Sequence, residues 1–371
     1  MRAGRKDMIN MQSDRINTEI NKVLQELELD VILITDRYNM RYIASYRGEG
    51  VILYTHNDRY VLTDSRYTEQ VERECEGYEC IDIAGLGYAG NIKRIMENKI
   101  PVGEHKRVGF ENLSIGYREY SEYNEKIVCA DLVPIDGRLD ALREIKNDEE
   151  IEKLRTAESI GDAAFKHILG YLKEGITERD VALELEYYMK KNGAEGLSFD
   201  TIAASGKNSS MPHAIPTDKR LENGDFLTMD FGCLYEGYCS DMTRTVAIGK
   251  TSENMRHVYD VVLRAQTEAM KHIKAGVLCN EVDAVARRVI ADAGYGDFFG
   301  HGLGHSVGLF IHEDPRFSPK CKEVLKPGMV ITVEPGIYLP GQFGVRIEDL
   351  VAVTENGFIN LTESDKSLIT I

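Results

Sequence analysis

Four carboxylates occupy equivalent places in two stretches of the sequence that share one layout. They are Asp230, Asp241, Glu334 and Glu348. Residues 225–249 and residues 329–354 each place two apolar segments around a turn, at Glu236-Gly237 and at Pro340-Gly341 respectively. Each stretch therefore predicts a β-hairpin with an acidic pair at mid-strand, one acid on each strand. The repetition indicates internal pseudo-symmetry.

Carboxylates among apolar neighbours are costly to bury unless a cation or hydrogen-bond donors compensate their charge. Two divalent ions, roughly 3.5 to 4 Å apart, supply the charge that four such groups need. Oxygen ligands completed by one imidazole nitrogen favour hard or borderline ions. The acids therefore predict a dinuclear metal site for Mn(II), with Co(II) or Zn(II) as alternatives.

The imidazole is expected in residues 299–315, FGHGLGHSVGLFIHEDP. This stretch holds three of the nine histidines in the chain, which are His301, His305 and His312. Glycines between them predict close backbone approaches that a side chain would block, at Gly300, Gly302, Gly304 and Gly308.

Hydrolysis is the chemistry that such a site performs. A water between two divalent ions loses its proton near neutral pH, and the ions polarise a substrate carbonyl. Glu334 can take that proton and return it to the leaving amine. His312 can donate to the oxyanion of the tetrahedral intermediate, and His213 or His301 can orient the substrate.

Single residues have other interpretations. Any one acid is more often a solvent-facing strand residue or a salt-bridge partner, although the five candidates together are harder to explain that way. His213, in SSMPHAIP, is as readily a loop histidine without a role. Arg346 shares a strand face with Glu348, and it is either an ion-pair partner or a side chain that orients a ligand.

At 371 residues the chain exceeds the roughly 250 to 300 residues of a single core, so two domains are expected. Residues 13–138 alternate an amphipathic helix at 13–28 with apolar strands, which predicts a small α/β domain. The strands are expected at 30–35, 50–55, 59–64 and 132–135. Residues 139–371 begin with a long helix capped at Asn147 and become strand-rich, which predicts a second, catalytic domain.

The net charge of −16 repels phosphate backbones and anionic membrane surfaces, so we expect neither nucleic acid nor a membrane as a partner. Residues 1–12 are basic and lack the apolar stretch of a secretory signal, which predicts a loose extension. The seven cysteines are odd in number and form no C-x-x-C motif. We therefore expect reduced thiols and a cytoplasmic protein.

In order and spacing, the motifs MDFG, SDMTRT, HGLGHSVGLFIHE, VEPGIY and VRIEDL resemble the ligand motifs of the metallopeptidases with the pita-bread fold. That family comprises Xaa-Pro aminopeptidases, Xaa-Pro dipeptidases (prolidases) and methionine aminopeptidases. The resemblance implies an α+β catalytic domain whose curved, mainly antiparallel sheet is flanked by helices. It also implies five metal ligands, namely Asp230, Asp241, His305, Glu334 and Glu348.

By the same resemblance, Asp241 and Glu348 bridge the two ions and Glu334 acts on the nucleophile. The family's histidines that hold the substrate and its tetrahedral intermediate match His213 and His312. His301 matches an additional histidine of the proline-specific branch of the family, and Arg346 matches that branch's supporting arginine.

Residues 39–70 resemble the N-terminal domain of creatinases and proline-specific peptidases. Creatinases lack the metal ligands, so the complete set favours an active peptidase over a creatinase-type hydrolase or a non-catalytic peptide-binding module. Proline-containing peptides are the expected substrates, with Xaa-Pro aminopeptidase as the expected activity and Xaa-Pro dipeptidase as the alternative. Tyr38, Asn39 and Tyr42 lie in a segment that approaches a neighbouring subunit's active site in relatives, which implies a homodimer.

Overall fold

The computed structural model describes residues 2–99 and 106–371, and the side chains of residues 14–98 and 106–371. The chain divides into two compact units, Met1–Arg143 and Glu144–Ile371, with the boundary shortly after the predicted one at residues 138 and 139. Among the described residues, no helix combines the length and the apolarity that crossing a bilayer requires.

The first unit is a mixed α/β domain built on one six-stranded sheet, in the order β4-β3-β2-β1-β5-β6. Its elements are α1 (Arg2–Glu26), β1 (Val31–Ile34), α2 (Arg37–Ala44), β2 (Val51–Thr55), β3 (Arg59–Thr63), α3 (Thr68–Glu74), β4 (Glu79–Asp82), α4 (Gly87–Lys99), β5 (Lys106–Phe110), α5 (Tyr117–Lys126) and β6 (Ala130–Pro134). β1 and β2 are buried along their whole length, as continuous apolar strands covered on both faces should be.

Strand β5 was not predicted, and two further features of this unit differ from the sequence-based expectation. Helix α1 begins at Arg2, so the residues predicted as a loose extension are helical from there on, while Met1 lies outside the described residues. Arg, Lys, Met and Gln in that segment are good helix formers and continue the helix. β4 was not predicted, because its sequence ECID lies at the sheet edge, largely outside the core, and carries no apolar pattern.

The second unit pairs helices with antiparallel strands twice along the chain. Its elements are α6 (Asp148–Tyr171), α7 (Glu178–Lys191), β7 (Gly196–Leu197), β8 (Ile202–Ser205), β9 (Phe226–Phe231), β10 (Cys233–Tyr235), β11 (Tyr238–Cys239), β12 (Met242–Ala247), α8 (Glu253–Met270), α9 (Cys279–Asp292), β13 (Gly304–Ser306), β14 (Glu313–Phe317), β15 (Val330–Val333), β16 (Gly336–Leu339), β17 (Phe343–Arg346), β18 (Asp349–Val353) and β19 (Phe358–Asn360). The Asn147 capping box starts α6 as predicted, because its side chain and that of Glu150 exchange hydrogen bonds with each other's backbone N–H groups.

Each hairpin is broken into an inner and an outer strand pair. β9 pairs with β12 and β10 with β11 in the first hairpin, and β15 pairs with β18 and β16 with β17 in the second. Helices α6 and α7 pack apolar residues against the first set of strands, and α8 and α9 do so against the second. The repeated order supports the internal pseudo-symmetry that the sequence indicates.

The breaks correct one expectation. Of the four acids only Asp230 lies within a strand, whereas Asp241, Glu334 and Glu348 lie at the breaks between inner and outer strands. A residue at such a break is released from the regular alternation of side chains, so acids from both hairpins can turn toward one point. The site is positioned by interrupted strands and not by mid-strand residues.

Candidate functional site

Three carboxylates converge at the hairpin breaks. Asp230, Asp241 and Glu348 each offer an oxygen, and these oxygens all lie within 4.8 Å of one another. Thr243 Oγ1 donates to Glu348 Oε2 at 2.7 Å, which leaves the other oxygen of Glu348 for a further partner. The structure therefore brings together three of the acids that the sequence singled out.

His305 and Glu334 complete the group. His305 Nε2 lies 3.5 Å from Asp241 Oδ2 and 3.6 Å from Glu334 Oε1. The other ring nitrogen, Nδ1, lies 3.2 Å from the Ser306 carbonyl oxygen, which can only accept a hydrogen bond. Nδ1 therefore carries the proton, and the lone pair of Nε2 faces the carboxylates in the geometry of a metal ligand.

Gly304 explains how His305 reaches this position. A Cβ atom at Gly304 would overlap the carbonyl oxygen of Thr332 on the neighbouring strand. A Cβ atom would also meet the Phe317 carbonyl oxygen at Gly302 and the Glu313 carboxylate at Gly308, as the sequence predicted, but Gly300 faces open space and the prediction is wrong there.

The cluster carries more negative charge than the protein alone compensates. At an effective dielectric constant of about 20, two unit charges 4.8 Å apart repel by roughly 3.5 kcal/mol. Three such pairs cost about 10 kcal/mol, which is comparable with the roughly 5 to 15 kcal/mol that stabilises a typical domain, and Arg346, bonded to Asp230, supplies a single compensating positive charge. Bound protons or cations must therefore neutralise these groups.

The pKa values of the acids reflect this environment. Burial and the neighbouring carboxylates, Glu348 first among them, hold the pKa of Asp241 well above its ordinary value. Glu348 is shifted in the same direction by burial and by Glu334 and Asp230. Burial raises the pKa of Glu334 to about 8, although Arg346 opposes the shift. Burial lowers the pKa of His305 to about 3, so its imidazole is neutral at pH 7.

The donor set fits divalent metal ions. Asp230 Oδ1 and Glu348 Oε1 are buried and make no hydrogen bond within the described part of the chain. A buried carboxylate oxygen without a partner is costly, and a cation removes that cost. Four carboxylates and one neutral imidazole are the ligand types that Mn(II), Co(II) and Zn(II) accept.

Arg346 supports two of the candidate ligands at once. Its Nη2 donates to Asp230 Oδ2 at 2.6 Å, and its Nε donates to Thr243 Oγ1 at 3.0 Å. Because Thr243 in turn donates to Glu348, one guanidinium orients an acid from each hairpin. Arg346 is thus an ion-pair partner of Asp230, and through Thr243 it also orients Glu348, so both sequence-based interpretations of Arg346 apply.

Tyr338 extends the arrangement to His301, and the sequence did not single it out. Arg346 Nη1 donates to the Tyr338 hydroxyl oxygen at 2.8 Å, and that hydroxyl lies 3.0 Å from His301 Nε2. His301 Nδ1 lies 2.8 Å from the Gly302 carbonyl oxygen, so it carries the proton and Nε2 accepts from Tyr338. Both ring nitrogens of His301 therefore have protein partners, and a bond to substrate requires one of them to be given up.

His213 and His312 face a cavity of about 840 Å³ that contains the acid cluster in its wall. Both side chains are exposed to this cavity, and the ring of His312 packs edge-on against that of His305 at 4.5 Å between centroids. The two histidines are placed to meet a substrate that binds against the carboxylates.

Asn39 and Tyr42, in the first unit, are bonded within that unit. Asn39 Nδ2 donates to Glu111 Oε1 at 2.6 Å and the Tyr42 hydroxyl donates to the Leu142 carbonyl at 3.0 Å, and both side chains are buried. Tyr38 is partly exposed. The homodimer inferred from this segment stays a prediction.

The metal-free protein should lose stability as the pH rises from about 6.5 to about 8.5. The folded-state pKa of Glu334, about 8, exceeds its ordinary value of 4.5. Between these two pH values the folded state keeps a proton that the unfolded state has released. The free energy of unfolding therefore falls as the pH rises, until the folded state also loses that proton. Each such carboxyl contributes about 1.4 kcal/mol per pH unit. At pH 6.5 an unfolded histidine is still half protonated, so His301 and His305, whose pKa burial lowers, oppose the trend there by up to about 0.7 kcal/mol per pH unit each, which is less than the three raised carboxyls together contribute, and above about pH 7.5 they no longer oppose it.

Differential scanning calorimetry in chelator at pH 6.5, 7.5 and 8.5 measures this dependence. Excess Mn(II) at pH 6.5 and 7.5 should remove it, because a bound cation favours the ionised carboxylates. A melting temperature that stays constant in chelator would contradict the expectation.

A buried cluster of acids beside one neutral imidazole is an arrangement suited to a metal-dependent hydrolase. Residues 152–355 match the model of metallopeptidase family M24, and residues 18–145 match the creatinase/prolidase N-terminal domain. The chain therefore belongs to metallopeptidase family M24. The family, the fold class and the hydrolase activity that the motifs predicted are confirmed.

Individual relatives resemble the chain over almost its whole length. It is 39% identical to an Xaa-Pro dipeptidase of Pyrococcus furiosus over 94% of this chain and 97% of the relative. The structure of an Xaa-Pro dipeptidase from Bacillus anthracis is 42% identical with a TM-score of 0.92, covering 97% of this chain and all of the other. An X-Pro aminopeptidase structure from Thermotoga maritima is 37% identical with a TM-score of 0.86, covering 94% and 100%.

Proposed function

We propose that this chain is an Xaa-Pro dipeptidase that hydrolyses the bond between an N-terminal residue and a C-terminal proline. The motifs by themselves favoured an Xaa-Pro aminopeptidase, with the dipeptidase as the alternative. The dipeptidases of Pyrococcus furiosus and Bacillus anthracis support the alternative. The observation that carries the proposal is the position of Arg316.

Arg316 lies opposite His305 in the pairing of β13 with β14, and it lines the cavity. Its side chain is 51% exposed, and Asp314, at 3.7 Å, is an even more exposed partner. Exposed pairs of this kind contribute little, so the guanidinium can bind another anion at small cost. A dipeptide carries its carboxylate one residue beyond the scissile bond, and a cation next to a metal ligand is where that carboxylate would lie.

Two other arginines line the cavity. Arg346 is bonded to Asp230 and Tyr338, whereas Arg179 is, like Arg316, an exposed arginine beside an exposed acid, with Asp218 at 3.2 Å. Arg316 best suits a substrate carboxylate because it lies across the strand pair from His305, next to the acid cluster.

The proposed metal ligands are Asp230, Asp241, His305, Glu334 and Glu348, which would hold two divalent ions. When bound, the ions supply a Lewis acid for the scissile carbonyl and a water of lowered pKa. The ligand types support Mn(II), with Co(II) or Zn(II) as alternatives.

The chain's own residues then have distinct roles. Glu334 can take a proton from the activated water and pass it to the leaving proline nitrogen. His312 donates to the oxyanion and His213 orients the peptide from the cavity rim. His301, Tyr338 and Arg346 keep Asp230 in place. We extend the proposal to a homodimer, which the resemblance of residues 39–70 implies, and to the reducing cytoplasm, which the free cysteines support.

A second candidate is Xaa-Pro aminopeptidase activity on longer peptides. The Thermotoga maritima structure supports it, and the cavity of about 840 Å³ exceeds the volume of one small dipeptide. Metal-loaded protein should be incubated with Ala-Pro, Ala-Pro-Ala and Ala-Ala-Ala, and alanine release measured. Cleavage of Ala-Pro alone supports the dipeptidase, comparable cleavage of Ala-Pro-Ala supports the aminopeptidase, and cleavage of neither rejects both.

Replacing Arg316 by glutamine should lower kcat/KM for Ala-Pro by roughly 10- to 100-fold, because a charge-assisted hydrogen bond to the carboxylate is lost. The effect should fall mainly on KM. Ala-Pro-amide lacks the carboxylate, so its slower hydrolysis should change less than about threefold. Arg179→Gln is the matched control on the same cavity and should leave Ala-Pro hydrolysis nearly unchanged. Equal losses for the acid and the amide would contradict the assigned role.

A further inference from the structure

Glu178 is a buried carboxylate that the catalytic account leaves unused. It is the first residue of α7, its exposure is 0%, and its hydrogen-bond partners are all neutral. The helix N-terminus favours a negative charge, but only partly offsets the cost of burial. The remaining compensation comes from donors in residues 205–217, here called the cavity loop.

The cavity loop is bonded to Glu178 at both of its ends. Glu178 Oε1 accepts from the backbone N–H of Ser205 at 2.7 Å and from its hydroxyl at 2.9 Å. Glu178 Oε2 accepts from the backbone N–H of Thr217 at 3.0 Å and from its hydroxyl at 2.6 Å. Asn208 Nδ2 lies 3.1 Å from each oxygen. One side chain thus closes the loop.

The closed loop presents His213 to the cavity. Its residues Pro212, His213, Ala214, Ile215 and Pro216 all line the cavity wall. Arg346 Nη1 donates to the Pro212 carbonyl at 3.2 Å, so the middle of the loop is also tied to the residue that supports Asp230. The side chain of His213 itself is exposed, and its position is therefore set by the backbone that carries it.

We infer that Glu178 is a positioning residue, which sets the place of His213 in the substrate cavity by closing the cavity loop. The inference rests on the proposed function for its kinetic consequence, but the loop closure itself does not. A misplacement of about 1 Å in a substrate-orienting group can cost about 100-fold in rate.

The geometry requires a carboxylate. Backbone N–H groups cannot reverse their polarity, and here one faces each oxygen of Glu178. A glutamine would satisfy either Ser205 or Thr217 and turn its own N–H donors toward the other. Glu178→Gln should therefore release one end of the loop while preserving the volume of the side chain.

Hydrogen–deuterium exchange on the full chain tests the closure without any substrate. In Glu178→Gln, amides of residues 206–217 should exchange at least tenfold faster, with the rest of α7 unchanged. Asp180→Asn is the matched control, because Asp180 lies in the same helical turn and, among the residues that the structure describes, its side chain bonds only to Thr177. Unchanged exchange in Glu178→Gln, or equal acceleration in Asp180→Asn, would overturn the closure.

Kinetics then tests the role of His213. Glu178→Gln should lower kcat/KM for Ala-Pro roughly 10- to 100-fold in the native protein, but less than about twofold in a His213→Ala background. Equal losses in both backgrounds would overturn positioning through His213. Failure of the wild type to cleave any proline peptide would reject the proposed function and leave the exchange result standing.

Thr217→Val provides a second variant should Glu178→Gln fail to fold. It removes one hydroxyl donor to Glu178 but keeps the backbone N–H. The same pattern is expected with a smaller amplitude, about threefold in exchange and in kcat/KM. No change in either measurement would count against the inference.

Discussion

Glu334→Gln is expected to lower kcat/KM for a proline dipeptide by roughly 10² to 10⁴-fold while the protein still binds its metal. A glutamine keeps the shape and one oxygen of the side chain, but it cannot take a proton from water and pass it to the leaving nitrogen. Glu334 lies 3.6 Å from His305 Nε2 and accepts from Thr332 Oγ1 at 3.3 Å. The amide oxygen of glutamine can keep the same distance from His305 Nε2 and accept the same hydrogen bond from Thr332.

The measurement combines steady-state kinetics with elemental analysis of the purified protein. Glu186→Gln is a matched control, since Glu186 also lines the cavity but lies outside the acid cluster. It should retain activity within about threefold. Near-normal activity of Glu334→Gln would remove Glu334 from the proton transfer, and loss of metal in this variant would assign it a role in binding alone.

Asp241→Asn is expected to lower the metal-dependent activity and to raise the stability of the metal-free protein. Asp241 lies in the centre of the cluster, within 4.8 Å of Asp230 and Glu348 and 3.5 Å from His305. Losing this ligand should reduce metal-dependent turnover by more than about 1,000-fold, because the activated water depends on the ions. In chelator the same change removes a carboxyl that the folded protein must either protonate or bury as a charge, and the new amide can donate to a carboxylate oxygen that lacks a partner.

The metal-free variant should therefore melt about 2 to 6 °C higher than the metal-free wild type at pH 8. Added Mn(II) should stabilise the wild type and have little effect on the variant. Asp283→Asn is the contrasting control, because Asp283 is equally buried but bonded to Arg287 at 2.8 Å, and it should melt lower with or without metal. A lower melting temperature for metal-free Asp241→Asn would show that repulsion among these carboxylates does not destabilise the metal-free protein.

The fold was predictable where local sequence patterns decide it. Asn147 marks the start of α6 through its capping box, and the apolar runs of β1, β2 and β3 gave the central strands of the first sheet. The extent of α1 and the edge strand β4 were not predictable in this way. Helix propensity continued α1 beyond its amphipathic part, and pairing with β3 makes β4 a strand despite its polar sequence.

The residues of the candidate site likewise fall into those that local motifs predicted and those that only tertiary contacts revealed. Asp230, Asp241, Glu348 and His305 were recognisable as candidate metal ligands, because a metal site needs particular ligand atoms and the motifs that carry them are short and local. Tyr338, Arg316 and Glu178 were not. Their roles depend on which distant segments meet: Tyr338 joins His301 to Arg346, Arg316 lies across the strand pair from His305, and Glu178 bonds residues 27 and 39 positions away.

The amino-acid sequence by itself determined the chemistry of this protein: a set of acids and a histidine suited to divalent metals, in the motifs of a metallopeptidase. Tertiary structure alone decided that three of the acids stand at strand breaks, that Arg346 supports an acid from each hairpin, and that Glu178 closes the cavity loop. The reason is that ligand preference belongs to individual side chains. Hydrogen bonds between remote segments exist only once register and packing have brought those segments together.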